Sequence, residues 1–311
     1  MRYFRAYPWA LQLLLFVLMV FVFMCFGTAM VQIGLQHLTN FKVDQVKNIS
    51  PSSPQGLINA ATIINAVLSV FSFLLPALIF SFMAHPQPME YLGLRPAARK
   101  INYILPVGIM LGALPILLLI GELMSHINFG ASIKADQAAN DNMFNAMLGI
   151  NSISGLVKIL LITAVIVPLG EEMFFRGLML RFARKRSHNM YFPAVFSALV
   201  FAFAHANYTG AISIFLAGLL LVAIYYLTGS LWCSIIGHAV YNGTQVVMSY
   251  FATAHKTVTG TVPNDQLPFY WVIIGAVVFS ASFYLLWKNR TPLPKNWTDD
   301  FTPEELSPKP H

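Results

Sequence analysis

The sequence predicts an all-α membrane protein, a polytopic bundle of about eight transmembrane helices with the N- and C-termini in the cytoplasm. The composition is the first observation behind this prediction, because 57% of the 311 residues are hydrophobic and only 10% are charged. Soluble domains carry about 25% charged residues. The second observation is the length of the apolar runs, and the third is the distribution of basic residues between them. Such a chain is integral to a membrane, the plasma membrane if the protein is bacterial.

Apolar runs long enough to cross about 30 Å of hydrocarbon occur eight times in the sequence. Each run must be helical, because an open strand in lipid would leave its backbone polar groups unpaired. The runs lie at about 9–34, 58–83, 102–125, 155–180, 191–207, 210–228, 230–251 and 269–287. Between the third and fourth runs, residues 126–154 are expected to form a long outer loop with an amphipathic turn.

The basic residues support this count and set the orientation. With the N-terminus inside, the cytoplasmic segments hold thirteen of the 19 lysines and arginines, and the outer segments hold four. Cytoplasmic loops are enriched in these residues, so eight spans with both termini inside agree with the rule. The net charge of +7 is then assigned to loops that face the anionic lipid bilayer. A nucleic-acid partner is excluded, because the basic residues form no cluster.

The predicted domain organisation is simple. Residues 1–290 form one transmembrane helical domain, in which the polar motifs lie between residues 155 and 251. Residues 291–311 are rich in proline and acidic residues and are expected to form a disordered cytoplasmic tail.

The fourth run contains the residues that most need an explanation, Glu171, Glu172 and Arg176. An ionisable group inside the membrane costs about 2.5–3.5 kcal/mol on insertion scales, so three within six positions indicate function. Glu172 and Arg176 are four residues apart and can pair on one helix face. Glu171 points about 100° away and can face a cavity. Pro168 is expected to kink the helix beside that cavity.

Other runs bring polar residues to a similar depth. At 1.5 Å per helical residue, Glu171 lies roughly 15 Å, His205 roughly 20 Å, His238 roughly 12 Å and Asn242 roughly 18 Å from the inner surface. Phe201 precedes His205 by one turn and would form an aromatic wall. Three helices are therefore expected to converge on one polar site.

Several chemistries are open to this set. A carboxylate and a histidine that share a water can act as a general base, and a histidine with an asparagine can stabilise an oxyanion. Glu171, His205 and His238 could instead bind one zinc ion. We favour no cofactor, because Arg176 would occupy Glu172, the one carboxylate that could orient a zinc-bound histidine. Interhelical hydrogen bonding and a proton-coupled transporter are the remaining alternatives.

Three motifs in order carry a family resemblance: Glu171-Glu172-x-x-x-Arg176, Phe201-x-x-x-His205 and His238-x-x-x-Asn242. They resemble the motifs of the CPBP intramembrane proteases. This family comprises the CAAX proteases and bacteriocin-processing proteins, is also called Abi, and includes the Rce1-type CAAX prenyl endopeptidase. The match covers about 90 residues, from the fourth to the seventh run.

The resemblance implies an intramembrane endopeptidase that hydrolyses a peptide bond near a membrane-anchored or lipidated, CaaX-like terminus of a peptide or protein substrate. It implies that Glu171 and His205 activate water, that His238 and Asn242 stabilise the oxyanion, and that Glu172 and Arg176 support the site. Both metallo and metal-free glutamate mechanisms are attributed to this family. It also contains non-catalytic immunity or scaffold proteins, which are a further alternative.

Overall fold

The computed structural model is helical, with no strand in the part of the chain that it describes. It describes residues 3–149, 152–187, 189–259 and 268–301, except for the side chains of 254–259. The all-α class predicted from the sequence is therefore confirmed.

The long helices are numbered α1 to α9 in chain order. They are α1 (Trp9–Leu38), α2 (Gln55–Ala84), α3 (Lys100–Ser125), α4 (Ala131–Leu148), α5 (Ile153–Arg186), α6 (Tyr191–Ala204), α7 (Ala211–Thr228), α8 (Leu231–Thr259) and α9 (Phe269–Lys288). Helix α4 has 18 residues and occupies most of the stretch that the sequence analysis treats as a loop with a single turn.

Within the described residues, six helices are long and apolar enough to cross a membrane: α1, α2, α3, α5, α7 and α9. The protein is therefore a multi-pass integral membrane protein. Helix α6 is apolar but has only 14 residues, and α8, with 29 residues, contains polar residues such as His238 and Asn242. All eight predicted runs lie in helices, but eight crossings and the cytoplasmic placement of both termini stay predictions.

Two of the spans contain π-helical segments that end just before a proline. In α2, residues Val70–Leu74 are π-helical and Pro76 follows two positions later. In α5, residues Leu161–Ile166 are π-helical and Pro168 follows at the same spacing. Proline has no N–H and its ring crowds the carbonyl group four residues earlier. A π turn, which pairs residues five apart, accommodates that loss. The distortion at Pro168 therefore takes the form of a π segment.

Residues 291–301 lie against the helices. The Thr291 and Leu293 N–H groups donate to the carbonyl oxygens of Leu227 and Tyr226 over 2.8 and 3.0 Å. Lys185 of α5 lies 2.6 Å from a carboxylate oxygen of Asp300. This part of the chain therefore differs from the predicted disordered tail, because backbone pairing and an ion pair dock it on the bundle. Residues 302–311 of that tail lie outside the described residues.

Arg181 makes a second set of contacts with the same segment. Its guanidinium donates to the carbonyl oxygens of Trp297 and Asp299 over 2.7 and 3.1 Å. The guanidinium carbon also lies 4.0 Å from the ring centroid of Tyr91. Burial raises the pKa of Tyr91 to about 12, although the charge of Arg181 acts in the opposite direction. The tyrosine is therefore neutral at physiological pH and serves as a packing surface for Arg181.

Helices α3 and α9 meet at two glycines, Gly112 and Gly275. A Cβ atom added at Gly112 would lie 2.8 Å from the Gly275 carbonyl oxygen, and one added at Gly275 would lie 2.6 Å from the Gly112 carbonyl oxygen. Both distances are too short for real Cβ atoms. Small residues at such contacts let membrane helices pack closely, so this pair sets the distance between α3 and α9.

This contact predicts that Gly112→Ala destabilises the protein, because the methyl group meets backbone that cannot move away. We expect the melting temperature in detergent, measured by tryptophan fluorescence, to fall by several degrees. Gly34→Ala in α1 is the matched control, because an added Cβ there has nothing within 4 Å and alanine is the better helix former. Equal melting temperatures for the two variants would contradict the close contact.

Candidate active site

The centre of the candidate site is the fully buried carboxylate of Glu172 in α5. Its Oε1 atom accepts a hydrogen bond from Arg176 Nη1 over 2.8 Å and lies 2.9 Å from His238 Nδ1. Its Oε2 atom accepts a hydrogen bond from Ser234 Oγ over 2.7 Å. The pairing of Glu172 with Arg176 that the spacing predicts is present, and the same carboxylate also holds two residues of α8.

Arg176 links this carboxylate to a third helix. Its guanidinium is fully buried and donates from Nη2 to the carbonyl oxygen of Gly218 in α7 over 3.1 Å. The guanidinium carbon lies 4.3 Å from the ring centroid of Phe201 in α6. Removing one partner of a buried ion pair costs about 3–5 kcal/mol, because the other charge is left uncompensated. Glu172 and Arg176 therefore hold α5, α6, α7 and α8 together at one level.

The contact with Glu172 determines how His238 is oriented. A carboxylate can only accept hydrogen bonds, so the proton of this contact belongs to His238 Nδ1. The other ring nitrogen, Nε2, then faces the second carboxylate of the pair and lies 3.7 Å from Glu171 Oε2. His238 therefore lies between the two glutamates, with a different nitrogen toward each.

Glu171 has none of the hydrogen bonds that its neighbour makes. Its side chain is almost fully buried, and its Oε2 atom has no hydrogen-bond partner among the described residues. The distance of 3.7 Å to His238 Nε2 is too long for a direct hydrogen bond. A single water molecule can bridge such a gap. The two adjacent glutamates therefore differ in environment, as their separation of about 100° around the helix predicts.

His205 lies beside Phe201, directly after the last residue of α6. The Nδ1 atom of His205 lies 2.8 Å from the carbonyl oxygen of Phe201, so Nδ1 carries the proton and Nε2 has the lone pair. The Phe201 ring centroid is 4.5 Å from that of His205 and 5.7 Å from that of His238. The His205 side chain is exposed. Among the described residues, the polar contacts of Glu171 and Glu172 come from α5 and α8 and do not include His205.

Asn242 follows His238 by one turn of α8, but its hydrogen bond goes elsewhere. Its Nδ2 atom donates to the carbonyl oxygen of Thr163 in the π-helical segment of α5, over 3.0 Å. The spacing of Asn242 in the sequence does not reveal this backbone contact, and the role of the amide as an oxyanion donor stays a prediction.

Ser234 is a member of the site that the sequence analysis passes over. In the sequence it has no paired base at a spacing typical of a nucleophile, and no other role for it is apparent there. Ser234, His238 and Asn242 are spaced four residues apart along α8, so all three lie on one helix face. This spacing is the signal that could have identified Ser234 as a hydrogen-bond partner of the same site.

The predicted zinc ligands are not brought together. Among the described residues, no three His, Cys, Asp or Glu side chains are grouped so that they could hold a metal ion. Glu171 and His238 are adjacent, whereas the hydrogen bond given for His205 goes to the Phe201 carbonyl oxygen. The prediction that Arg176 keeps Glu172 from orienting a histidine is wrong. Glu172 pairs with Arg176 and also contacts His238 Nδ1, so pairing with the arginine does not prevent it from orienting a histidine.

Part of the chain matches a known protein family. Residues 153–244 match the family described as type II CAAX prenyl endopeptidase Rce1-like. Searches among curated proteins and among solved structures find no match. The matched residues begin with α5 and end within α8, so they contain the three motifs and every residue of the site described above. The resemblance drawn from the motifs is confirmed over residues 153–244, where this membrane protein matches the Rce1-like family.

Proposed function

We propose that this chain is an intramembrane endopeptidase that hydrolyses a peptide bond near a membrane-anchored or lipidated, CaaX-like terminus of its substrate. One observation carries the proposal: a buried oxygen of Glu171, without a hydrogen-bond partner among the described residues, lies 3.7 Å from Nε2 of His238. The Rce1-like match over residues 153–244 supports the same class of reaction.

The reaction begins with a water molecule held between Glu171 and His238. The Glu171 carboxylate takes a proton from this water as the water oxygen bonds to the carbonyl carbon of the substrate. The proton is then passed to the amide nitrogen as the C–N bond breaks, which leaves a carboxylic acid and an amine. Because Oε2 of Glu171 has no hydrogen-bond partner among the described residues, this oxygen is available to the water throughout.

His238 supplies the electrostatic part of the reaction. Glu172 holds the ring by its Nδ1–H group, so Nε2 is directed to the place where the carbonyl oxygen of the substrate becomes negative. When this nitrogen is protonated, it donates a hydrogen bond to the oxyanion, and the Glu172 carboxylate compensates the charge of the imidazolium. A donor that is already fixed in place stabilises the transition state without reorganisation.

The family resemblance implies that His205 activates the water together with Glu171. Its Nε2 atom has a free lone pair, because Nδ1 donates to the Phe201 carbonyl oxygen. The exposed position of the ring beside Phe201 suits a group that meets the substrate as it enters. We therefore propose that Nε2 of His205 accepts a hydrogen bond from a backbone N–H group of the arriving substrate, beside Phe201.

The proposed substrate follows from the position of the site in the membrane. The polar groups lie within apolar helices, so a substrate anchored in the bilayer reaches them without leaving it.

We propose a metal-free mechanism, because the donor atoms of the alternative zinc set, Glu171, His205 and His238, are not assembled into a ligand set. Glu171 then acts in catalysis, and Glu172 supports the site.

The central prediction concerns Glu171→Gln, which removes the base and keeps the shape of the side chain. We expect cleavage of a prenylated CaaX peptide by the purified protein in liposomes to fall by at least about 10²-fold, the size of a general-base contribution. The melting temperature should not fall, because glutamine removes an unpaired buried charge that costs stability.

Glu122→Gln is the matched control, because Glu122 is an exposed carboxylate near the end of α3. This variant should cleave at the rate of the unmodified protein. If Glu171→Gln also keeps that rate, the proposed mechanism is wrong. If Glu171→Gln instead leaves a cellular phenotype of the gene intact, the chain acts as a non-catalytic immunity or scaffold protein.

A second prediction concerns metal dependence. In a metal-free mechanism, dialysis against a chelator should leave the rate of peptide cleavage unchanged, and added zinc should not raise it. The measurement is the cleavage rate before dialysis, after dialysis and after return of zinc, with the metal content followed by mass spectrometry. Loss of activity that zinc restores would establish the zinc alternative in place of the metal-free one.

A further inference from the structure

We propose that Asn242 is a positioning residue for the proposed reaction. In this role its amide holds the π-helical segment that precedes Glu171, by pairing with a backbone carbonyl group that Pro168 leaves without a donor. The inference rests on the proposed function of Glu171. It changes the role that the resemblance implies for Asn242, from an oxyanion donor to a support for the helix that carries the base.

The carbonyl group of Thr163 in α5 has no backbone donor. The π-helical segment Leu161–Ile166 ends with the N–H of Val167 donating to the carbonyl oxygen of Ile162, five residues earlier. In the same register, the carbonyl oxygen of Thr163 would receive the N–H of residue 168. That residue is a proline and has no N–H. The sequence of α5 thus leaves the Thr163 carbonyl group without its backbone donor.

The side chain of Asn242 supplies the donor that the Thr163 carbonyl group lacks. Asn242 Nδ2 donates to the Thr163 carbonyl oxygen over 3.0 Å. Helices α5 and α8 are in contact here, because a Cβ atom added at Gly243 would lie 3.4 Å from the Cβ atom of Ala164. An unsatisfied backbone group within the membrane costs several kcal/mol, so this hydrogen bond from the neighbouring helix stabilises the π-helical register.

The register of this π-helical segment determines the direction in which Glu171 points. A π segment contains one more residue than the α-helical turn it replaces, and each residue turns an α-helix by about 100°. Loss of the π register would therefore rotate the following residues and move Glu171 away from His238. Asn242 and His238 lie one turn apart on α8, and they hold α5 at Thr163 and at Glu172 respectively. These two contacts together set the distance of 3.7 Å between Glu171 and His238.

The test is a double-mutant cycle between positions 168 and 242. In Pro168→Ala, the new N–H can pair with the Thr163 carbonyl group, so Asn242 becomes dispensable. We expect Asn242→Ala alone to lower kcat about 10-fold or more with little change in KM. In the Pro168→Ala background, the same substitution should change kcat by less than about 3-fold. Gln245→Ala is the matched control, because its amide pairs with the Tyr241 carbonyl oxygen of its own helix.

An oxyanion donor behaves differently in this cycle. Its loss costs about 10²–10³-fold in kcat and does so whichever residue stands at position 168. An equal loss of kcat in the two backgrounds would therefore overturn the proposal. The rate per folded molecule separates positioning from general stability. Asn242→Ala should keep its lower kcat after the rate is divided by the folded fraction, and the double variant should not, whereas a loss of folded molecules alone would disappear in this comparison.

The melting temperature completes the experiment, and it does not depend on activity. Asn242→Ala should lower the melting temperature of the protein that retains Pro168 and leave that of the Pro168→Ala variant nearly unchanged. If Pro168→Ala is itself inactive, the double-mutant cycle of melting temperatures tests the proposal. Equal decreases in melting temperature in the two backgrounds would overturn it. If the unmodified protein cleaves no peptide, the proposed function fails, but the thermal cycle still tests the pairing of Asn242 with the Thr163 carbonyl group.

Discussion

The candidate site depends on one buried carboxylate, that of Glu172. An ionised carboxylate without water is tolerated only when its oxygens are paired and its charge is compensated. Arg176 supplies the charge from the next turn of α5, and Ser234 and His238 supply further contacts from α8. Because these partners come from different helices, the carboxylate can be satisfied only when the helices are packed in this one arrangement. Pairing the charge of Glu172 therefore fixes the position of α8 against α5.

The same requirement explains why two adjacent glutamates can have different roles. Their side chains point about 100° apart on the helix. The residues that pair with one carboxylate therefore cannot also pair with the other. Glu172 takes the arginine, the serine and the protonated nitrogen of His238. Glu171 is left with a buried oxygen beside the other nitrogen of that ring. An unpaired carboxylate is costly for stability, and a general base needs such an oxygen.

Much of this arrangement could be predicted from the sequence, because helical spacing places Glu172 against Arg176 and His238 on the same face as Asn242. The apolar runs also predict the helices that carry them. Other features depend on information that a periodic pattern does not contain. The register of α5 changes at two π segments, Leu161–Ile166 and Met173–Met179, whereas the expected spacing assumes about 3.6 residues per turn throughout. Ser234 is a common residue whose importance depends on a carboxylate in another helix. The docking of residues 291–301 depends on Arg181 and Lys185, which the composition of that segment does not reveal.

The two prolines show how a locally unfavourable residue can contribute to a site. Pro76 in α2 and Pro168 in α5 each follow a π-helical segment at the same spacing, because each removes a backbone donor from the helix. In α5 the carbonyl group left over is the one that Asn242 reaches. Natural sequences break local rules mainly where function needs a particular geometry, and here the break precedes Glu171 by three residues. The proline therefore makes α5 depend on α8, and that dependence fixes the rotation of the helix that carries the proposed base.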